Sequence, residues 1–460
     1  MFFDQNRGHN LRLRMLLVAS AAALGVLGSG LTAAHASDEP ASASEIASGA
    51  EVTGAAALDG FPLPEDLDED SEELNDELSE PVPEVPEDEV PSDLGEVLAD
   101  DSPPEEGVDP APDPLAAAEN DRAACRARIL VAKAHGDDDL VPCVVWGASA
   151  PVSELRAAVT AWPTPDWCDD HGANGNWYVI RFKGCGVFPA DLTVTDPRTG
   201  EVMGGMHFLT VAYAYSNRTI AAWAYQVELL EVTSWGAAKG SSAGGSVKCT
   251  GKCKVTESKF PSQLIGADRE AVGQFFLDTT IKTSPKGQKG EGQATAKWKF
   301  TNPKWAGPST EMSLPTPPVR CDNATPGTSK PGCVMSYIPE MVYAKNGEFP
   351  ELARHIEYAQ DTKNLPGKHG TRRYLTRLTN ADKRRDNRNK ACPQSLERPP
   401  GKSCDEYPFA STWQGASTGS GDFSRRMINA TQNEDGGRAL SRFYLYNRII
   451  EKDKFLVWIK

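Results

Sequence analysis

The chain is 460 residues long, with 48 Lys and Arg against 64 Asp and Glu, a formal net charge of −16 and ten cysteines. That length exceeds one ordinary domain, and after residue 36 nothing approaches the ~20 consecutive apolar residues of a membrane-spanning helix. The net charge hides a division: residues 37–120 hold 28 acidic side chains and no Lys or Arg, so residues 121–460 carry about +10.

In chain order, Arg7, Arg12 and Arg14 precede an apolar run over 15–31, and Ala34-His35-Ala36 fits a small-x-small cleavage site. Residues 1–36 read as a signal peptide, which predicts a secreted, extracellular protein with no stable membrane association. Residues 37–118 alternate Pro, Ala, Ser and acids without a sustained apolar period. Such a segment cannot bury enough surface to offset its chain entropy and is predicted to be disordered. Its plain role is a solubilising spacer. A sharper one is autoinhibition, the acidic segment occupying a basic site in cis.

Residues 119–320 read as a β-rich domain. β-branched and aromatic runs at 177–182, 206–215, 219–232, 274–283 and 294–300 are bounded by turn residues, as in Asp196-Pro197-Arg198-Thr199-Gly200. Their spacing predicts an antiparallel sandwich or barrel-like fold. No catalytic constellation stands out. His171 and His207 are isolated, and each reads as a surface or packing residue. Trp162, Trp167 and Trp235 are candidates for binding glycan or bases if exposed, although Trp more often belongs to the core. Residues 321–344 form a Pro-rich connection or the last edge of this domain.

The cysteines fall into five neighbour pairs: Cys125 with Cys143, Cys168 with Cys185, Cys249 with Cys253, Cys321 with Cys333, and Cys392 with Cys404. Neighbour pairing predicts disulfide-closed loops in an oxidising compartment. Cys249-x3-Cys253 also has the spacing of zinc ligands, but no second pair at that distance accompanies it.

Residues 345–460 hold 22 Lys and Arg against 14 Asp and Glu, a balance suited to a polyanion. Pro350 opens a predicted helix with Leu352, Ile356 and Ala359 on one face. The run Asp382-Lys383-Arg384-Arg385 is too charged for a core. Asp405 and Glu406 lie on a strand that turns at Pro408, a helix begins at Asn433 with Leu440, Phe443 and Tyr444 buried, and 455–459 closes the chain as a strand. These elements predict a small α+β unit.

This unit resembles the NucA/NucB family of small secreted bacterial deoxyribonucleases. The matching pieces are Phe349-Pro350 with His355-Ile356; Ala381-Asp382-Lys383-Arg384-Arg385; Asp405-Glu406-Tyr407-Pro408 followed by Ala410; and Asn433 with Gly436-Gly437. The resemblance implies a DNA substrate and a nuclease fold for 345–460. Two departures stand out. The family often carries Cys-Glu-Glu-Gly-Gly where this chain reads Ser411-Thr412-Trp413-Gln414-Gly415. Its Asp before the Asn is Gln432 here.

Phosphodiester cleavage needs the phosphate neutralised and a water deprotonated. A divalent cation, Mg or Mn, with Asn433 and Glu434 as metal ligands, suits a hard, oxygen-preferring ion. No His is placed beside the acids by sequence, so a carboxylate base is expected: Asp405, with Glu406 as its neighbour. Adjacent strand residues face opposite ways, so one of the two lines the site. Lys383, Arg384 and Arg385 are the expected phosphate contacts. A non-catalytic DNA- or wall-binding protein is the alternative. A glycosidase ranks last, because its two carboxylates must face each other.

Overall fold

The computed structural model of the protein describes residues 114–147, 173–328 and 330–460. Residues 1–113, with the expected signal peptide and most of the acidic segment, together with Trp162, Trp167, Cys168 and His171, lie outside the described residues. Among the described residues no helix is long and apolar enough to cross a membrane.

A helix, α1 (Pro114–His135), precedes the strands. The first strands are β1 (Val141–Trp146), β2 (Trp177–Val179), β3 (Lys183–Thr195), β4 (Val202–Asn217), β5 (Ile220–Gly236), β6 (Ser242–Gly251) and β7 (Cys253–Lys259). They are followed by β8 (Gln263–Leu264), β9 (Ala271–Thr279), β10 (Lys289–Thr301), β11 (Met312–Pro315), β12 (Val319–Asp322) and β13 (Gly332–Met335). These strands form two antiparallel sheets. The larger runs β1-β3-β4-β5-β9-β7, with β2 beside β3, and the smaller runs β13-β12-β10-β6-β8, with β11 beside β10.

The sheets enclose one apolar core, as the alternation of strand side chains requires. Phe208 meets Phe300 edge-on with ring centroids 4.9 Å apart, and Trp146 meets Trp298 at 5.9 Å. Polar tips of core aromatics find backbone acceptors: Tyr225 Oη donates to Leu314 O at 3.0 Å and Trp177 Nε1 to Pro315 O at 2.9 Å. The expected antiparallel β-rich domain is therefore present, and the five predicted runs fall on β2, β4, β5, β9 and β10. Residues 312–335 are the last edge of this domain rather than a free connection.

Three disulfides are formed between described residues: Cys249–Cys253, Cys321–Cys333 across β12 and β13, and Cys392–Cys404. Cys185 is also disulfide-bonded. The expected Cys125–Cys143 bridge is not formed. Both are free thiols, hydrogen-bonded side by side in a small core where α1 packs on β1.

The C-terminal module starts at β14 (Glu340–Tyr343) and continues through α2 (Pro350–Asp361), β15 (Leu375–Thr376), α3 (Ala381–Ala391), β16 (Lys402–Tyr407), β17 (Ser424–Asn429), α4 (Ala430–Tyr446) and β18 (Lys454–Ile459). β18 is the centre of a sheet ordered β14-β18-β15, parallel to β14 and antiparallel to β15. β16 and β17 form a separate antiparallel hairpin. The module has its own core, built from Leu352, Ile356, Tyr407, Ile428, Leu440, Phe443 and Val457 among others.

Both modules belong to one compact unit of the chain, and charge joins them. Past the end of α4, Arg448 adopts φ +46°, the left-handed conformation that commonly ends a helix. Its guanidinium is buried and donates to Asp322 Oδ1 and Asp322 O, both at 2.8 Å, and to Arg218 O. The carbonyls that follow α4 are met from the β domain: Arg181 Nε donates to Asn447 O at 2.7 Å, and Arg320 to Arg448 O and to Asp453. Burial pushes the Asp322 carboxyl up, but Arg448 and Arg320 override it and hold it below the usual range. The β domain thus supplies the cationic cap at the negative end of α4.

Candidate active site

The hairpin β16–β17 is the floor of the site. Asp405 lies opposite Arg426 and Glu406 opposite Arg425. Strand alternation sends the two acids to opposite faces.

Asp405 faces α2. That helix forms because Pro350 fits its first turn and Leu352, Ile356 and Ala359 make one buried stripe. His355 lies at the edge of the same stripe and is completely buried, so its ring nitrogens need partners. Nδ1 pairs with Asp405 Oδ2, and Nε2 lies 3.0 Å from Ser424 Oγ. With a proton on Nδ1, His355 donates to the carboxylate, and its Nε2 makes the second hydrogen bond with the Ser424 hydroxyl. The sequence-based expectation that no His stands beside the acids is therefore corrected. The signal was available: His355 is three residues past Leu352, on the apolar face.

Burial raises the Asp405 carboxyl above the ordinary range, and the His355 hydrogen bond and charge oppose that rise. Glu406 faces α3 instead. Burial and the neighbouring Asp405 charge push it up to about 8, with Arg388 and the Ala410 N–H pulling the other way.

α3 carries the basic run. Asn380 caps it by accepting from Lys383 N at 3.0 Å, and Cys392–Cys404 ties its end to β16. Lys383 Nζ lies 4.3 Å from the centre of the Trp413 ring, Arg385 pairs with Asp382, and Arg384 is half-buried. Arg425 donates to Ala391 O at 3.1 Å, fastening the hairpin to the helix end. Asn387, unnoticed in the sequence, is fully buried. It donates to Ala410 O at 2.9 Å and accepts from Ser417 N and Thr418 N at 2.8 and 2.9 Å. It holds the loop that follows the acids.

α4 starts at the Asn429 cap and packs on the Asp405 side of the hairpin. Asn433 Nδ2 donates to Ser403 Oγ at 2.9 Å and Cys404 O at 3.2 Å. Ser403 shares the Asp405 face, so Asn433 and Asp405 belong to one side of the hairpin. Gly436 is required for close approach: a Cβ there would lie 2.2 Å from Leu352 Cδ2 on α2. Glu434 and Asp435 both pair with Arg438.

The departures from the family pattern have structural employment. Gln432 Oε1 accepts from Glu351 N at 2.8 Å, capping α2. Gln414 Oε1 accepts from Thr376 N at 2.9 Å, and Trp413 Nε1 donates to Glu451 Oε1 at 2.7 Å. Among the described residues no three His, Cys, Asp or Glu side chains gather as a metal cluster. Asn433 uses its NH2 on Ser403 and Cys404, so its amide oxygen is the donor atom suited to a cation. A sparse set of this kind fits a magnesium-type ion, which takes most of its oxygens from water and phosphate.

Two carboxylates on a hairpin thus lie between a basic helix on one side and two amphipathic helices on the other. Residues 362–458 match the model of the family Deoxyribonuclease NucA/NucB. The matched segment begins just after α2, so His355 lies upstream of it and the β domain falls outside it. No curated protein matches the chain.

Proposed function

We propose that the protein is a secreted, metal-dependent, non-specific endodeoxyribonuclease that hydrolyses extracellular DNA. The family match to 362–458 supports a deoxyribonuclease, and the observation that carries the mechanism is the placement of Asp405 and Asn433 on one face of the β16–β17 hairpin.

Asp405 acts as the general base, taking a proton from the attacking water. His355 is a positioning residue, which fixes the carboxylate and keeps it ionised despite its burial. Arg426, opposite Asp405, and Lys383, Arg384 and Arg385 on α3 hold backbone phosphates. Glu406 orients Arg388 and Arg425 on the far face. A bound Mg or Mn ion, held by Asn433 with Glu434 as the second proposed ligand, would neutralise the phosphate and stabilise the leaving oxygen.

In the full-length chain, Asp405→Ala and Asn433→Ala are expected to lose plasmid cleavage while retaining DNA binding. Full cleavage by both variants overturns the site assignment. The alternative, a DNA-binding module without turnover, draws support from Gln432, Thr412 and Trp413, which stand where the family pattern carries acids and make structural hydrogen bonds instead. Binding of DNA by the wild type with no cleavage under any divalent metal would favour it.

The His355 pair sets a pH dependence. Asp405 must be ionised to act, and its carboxyl is raised by burial, so cleavage rises with pH through a value above the ordinary carboxylate range. His355→Ala removes the group that opposes this rise. The acid limb of the pH–rate profile should move to higher pH, and the rate at pH 7 should fall about tenfold to a hundredfold. An unshifted limb would mean that His355 does not act through Asp405.

A further inference from the structure

We propose that the open end of the outer face of the seven-stranded sheet, centred on Trp235, is a binding site for a neutral or N-acetylated pyranose glycan. This site is separate from the nuclease module and does not depend on the reading of that module.

The strand register lays out the site. Thr193, Gly205 and Trp235 lie side by side across β3, β4 and β5, and Asp191, His207 and Thr233 form the next row. Strand alternation puts Thr233 and Trp235 on the same outward face, and a bulge in β5 lies just before them, between Glu231 and Thr233. Leu192, Met206 and Phe208 alternate with them and are buried in the core between the sheets. With strands ~4.8 Å apart and same-face neighbours ~7 Å apart, the two rows cover roughly 10 by 7 Å, the footprint of one or two sugar rings.

Trp235 is 52 % exposed, unusual for so large an apolar side chain. Its indole rests on a glycine: a Cβ on Gly205 would lie 2.9 Å from indole Nε1 and 3.3 Å from Cε2. One ring face is therefore down on the sheet and the other is offered to solvent, with Met203, also exposed, on the same strand face. An equatorially linked pyranose presents faces of polarised C–H groups, which complement the negative face of an aromatic ring. Beside the platform, His207 Nδ1 and Asp191 Oδ1 are 2.9 Å apart, both side chains partly exposed. This pair and the Thr193 and Thr233 hydroxyls supply donors and acceptors at the spacing of sugar hydroxyls.

Charge decides between a sugar and a nucleobase. Between residues 185 and 237 the basic side chains are Arg198 and Arg218. Arg198 is committed to Asp196 and Asp138, and Arg218 stacks on Tyr446. Among the described residues Asp191 pairs with His207 rather than with a Lys or Arg, so the edge of the platform offers a carboxylate acceptor to sugar hydroxyls and no cation paired there for a phosphate.

The test uses the full-length protein and three insoluble polysaccharides, chitin, cellulose and peptidoglycan, with soluble chitin and cellulose hexasaccharides for titration. At least one polysaccharide should deplete the wild-type protein from solution. Trp235→Ala should weaken that binding by about tenfold or more, with Trp235→Tyr largely restoring it and plasmid DNA affinity unchanged. The unfolding midpoint of Trp235→Ala, matched to the wild type, guards against a folding defect. The proposal is overturned if none of the three retains the wild type, if Trp235→Ala binds them equally well, or if its measured loss is for single-stranded DNA.

Discussion

Glu406→Gln is expected to raise the stability of the protein and leave it able to cleave DNA, whereas Asp405→Asn should leave it folded and about a thousandfold slower. The two acids are neighbours in sequence, but they face opposite sides of the hairpin and do different work. Glu406 has its carboxyl pushed up to about 8. Below the unfolded pKa both states hold the proton and nothing is lost. Between that value and about 8 the unfolded chain ionises while the folded one does not, so stability falls as pH rises. The cost at pH 8 is on the order of 2–5 kcal/mol, with the attraction of Arg388 already included. Gln cannot ionise and escapes the cost, giving a gain of about 1–3 kcal/mol at pH 8 that shrinks towards pH 5. Denaturant unfolding in EDTA reads this directly. Losing the Glu406 carboxyl beside Arg388 and Arg425 should lower kcat/KM by about tenfold. A Glu406→Gln variant less stable than wild type at pH 8 would show that the carboxylate is a net stabilising partner of its arginines.

Breaking the charge junction between the modules should have the largest effect on folding. Arg448→Ala leaves Asp322 fully buried, with Arg320 at 3.3 Å as the remaining cation recorded against it, and strips the end of α4 of its anchor. Removing one side of a buried pair costs about 3–5 kcal/mol, which lowers the unfolding midpoint by roughly 4–7 °C in a protein of this size. The double variant Arg448→Met/Asp322→Leu should recover much of the loss, because neither charge is then left unpaired. An unchanged midpoint in Arg448→Ala would mean that the junction is not structural. Asn433 is near the start of the helix whose end the β domain caps. The C-terminal module severed from the β domain is accordingly expected to be unstable, and activity is best read on the whole chain.

Local signals made much of this architecture legible. The apolar stripe of α2, the strand carrying Asp405 and Glu406, the buried face of α4 and the closing strand β18 all follow from period and turn chemistry. The divergence of the two acids followed from period alone. Elements whose stability is tertiary were not legible. α3 buries only Asn387 and Ala391 and is held by its Asn380 cap and a disulfide, so no apolar period announced it. β6 and β7 are rich in Gly, Ser and Lys, because one face of each is open to solvent. The Asp405–His355 contact spans 50 residues, and the Arg448–Asp322 contact spans 126; no local pattern encodes either. Trp235 was a candidate from composition, but only the register placed it over Gly205.

The most direct test of the nuclease reading is digestion of supercoiled plasmid by the full-length protein with Mg, with Mn, and with EDTA. The account predicts nicked and linear products with at least one of the metals, none with EDTA, and none from Asp405→Asn under any condition. Undiminished cleavage in EDTA would contradict the metal-dependent mechanism, and intact plasmid with every metal would contradict the enzyme itself.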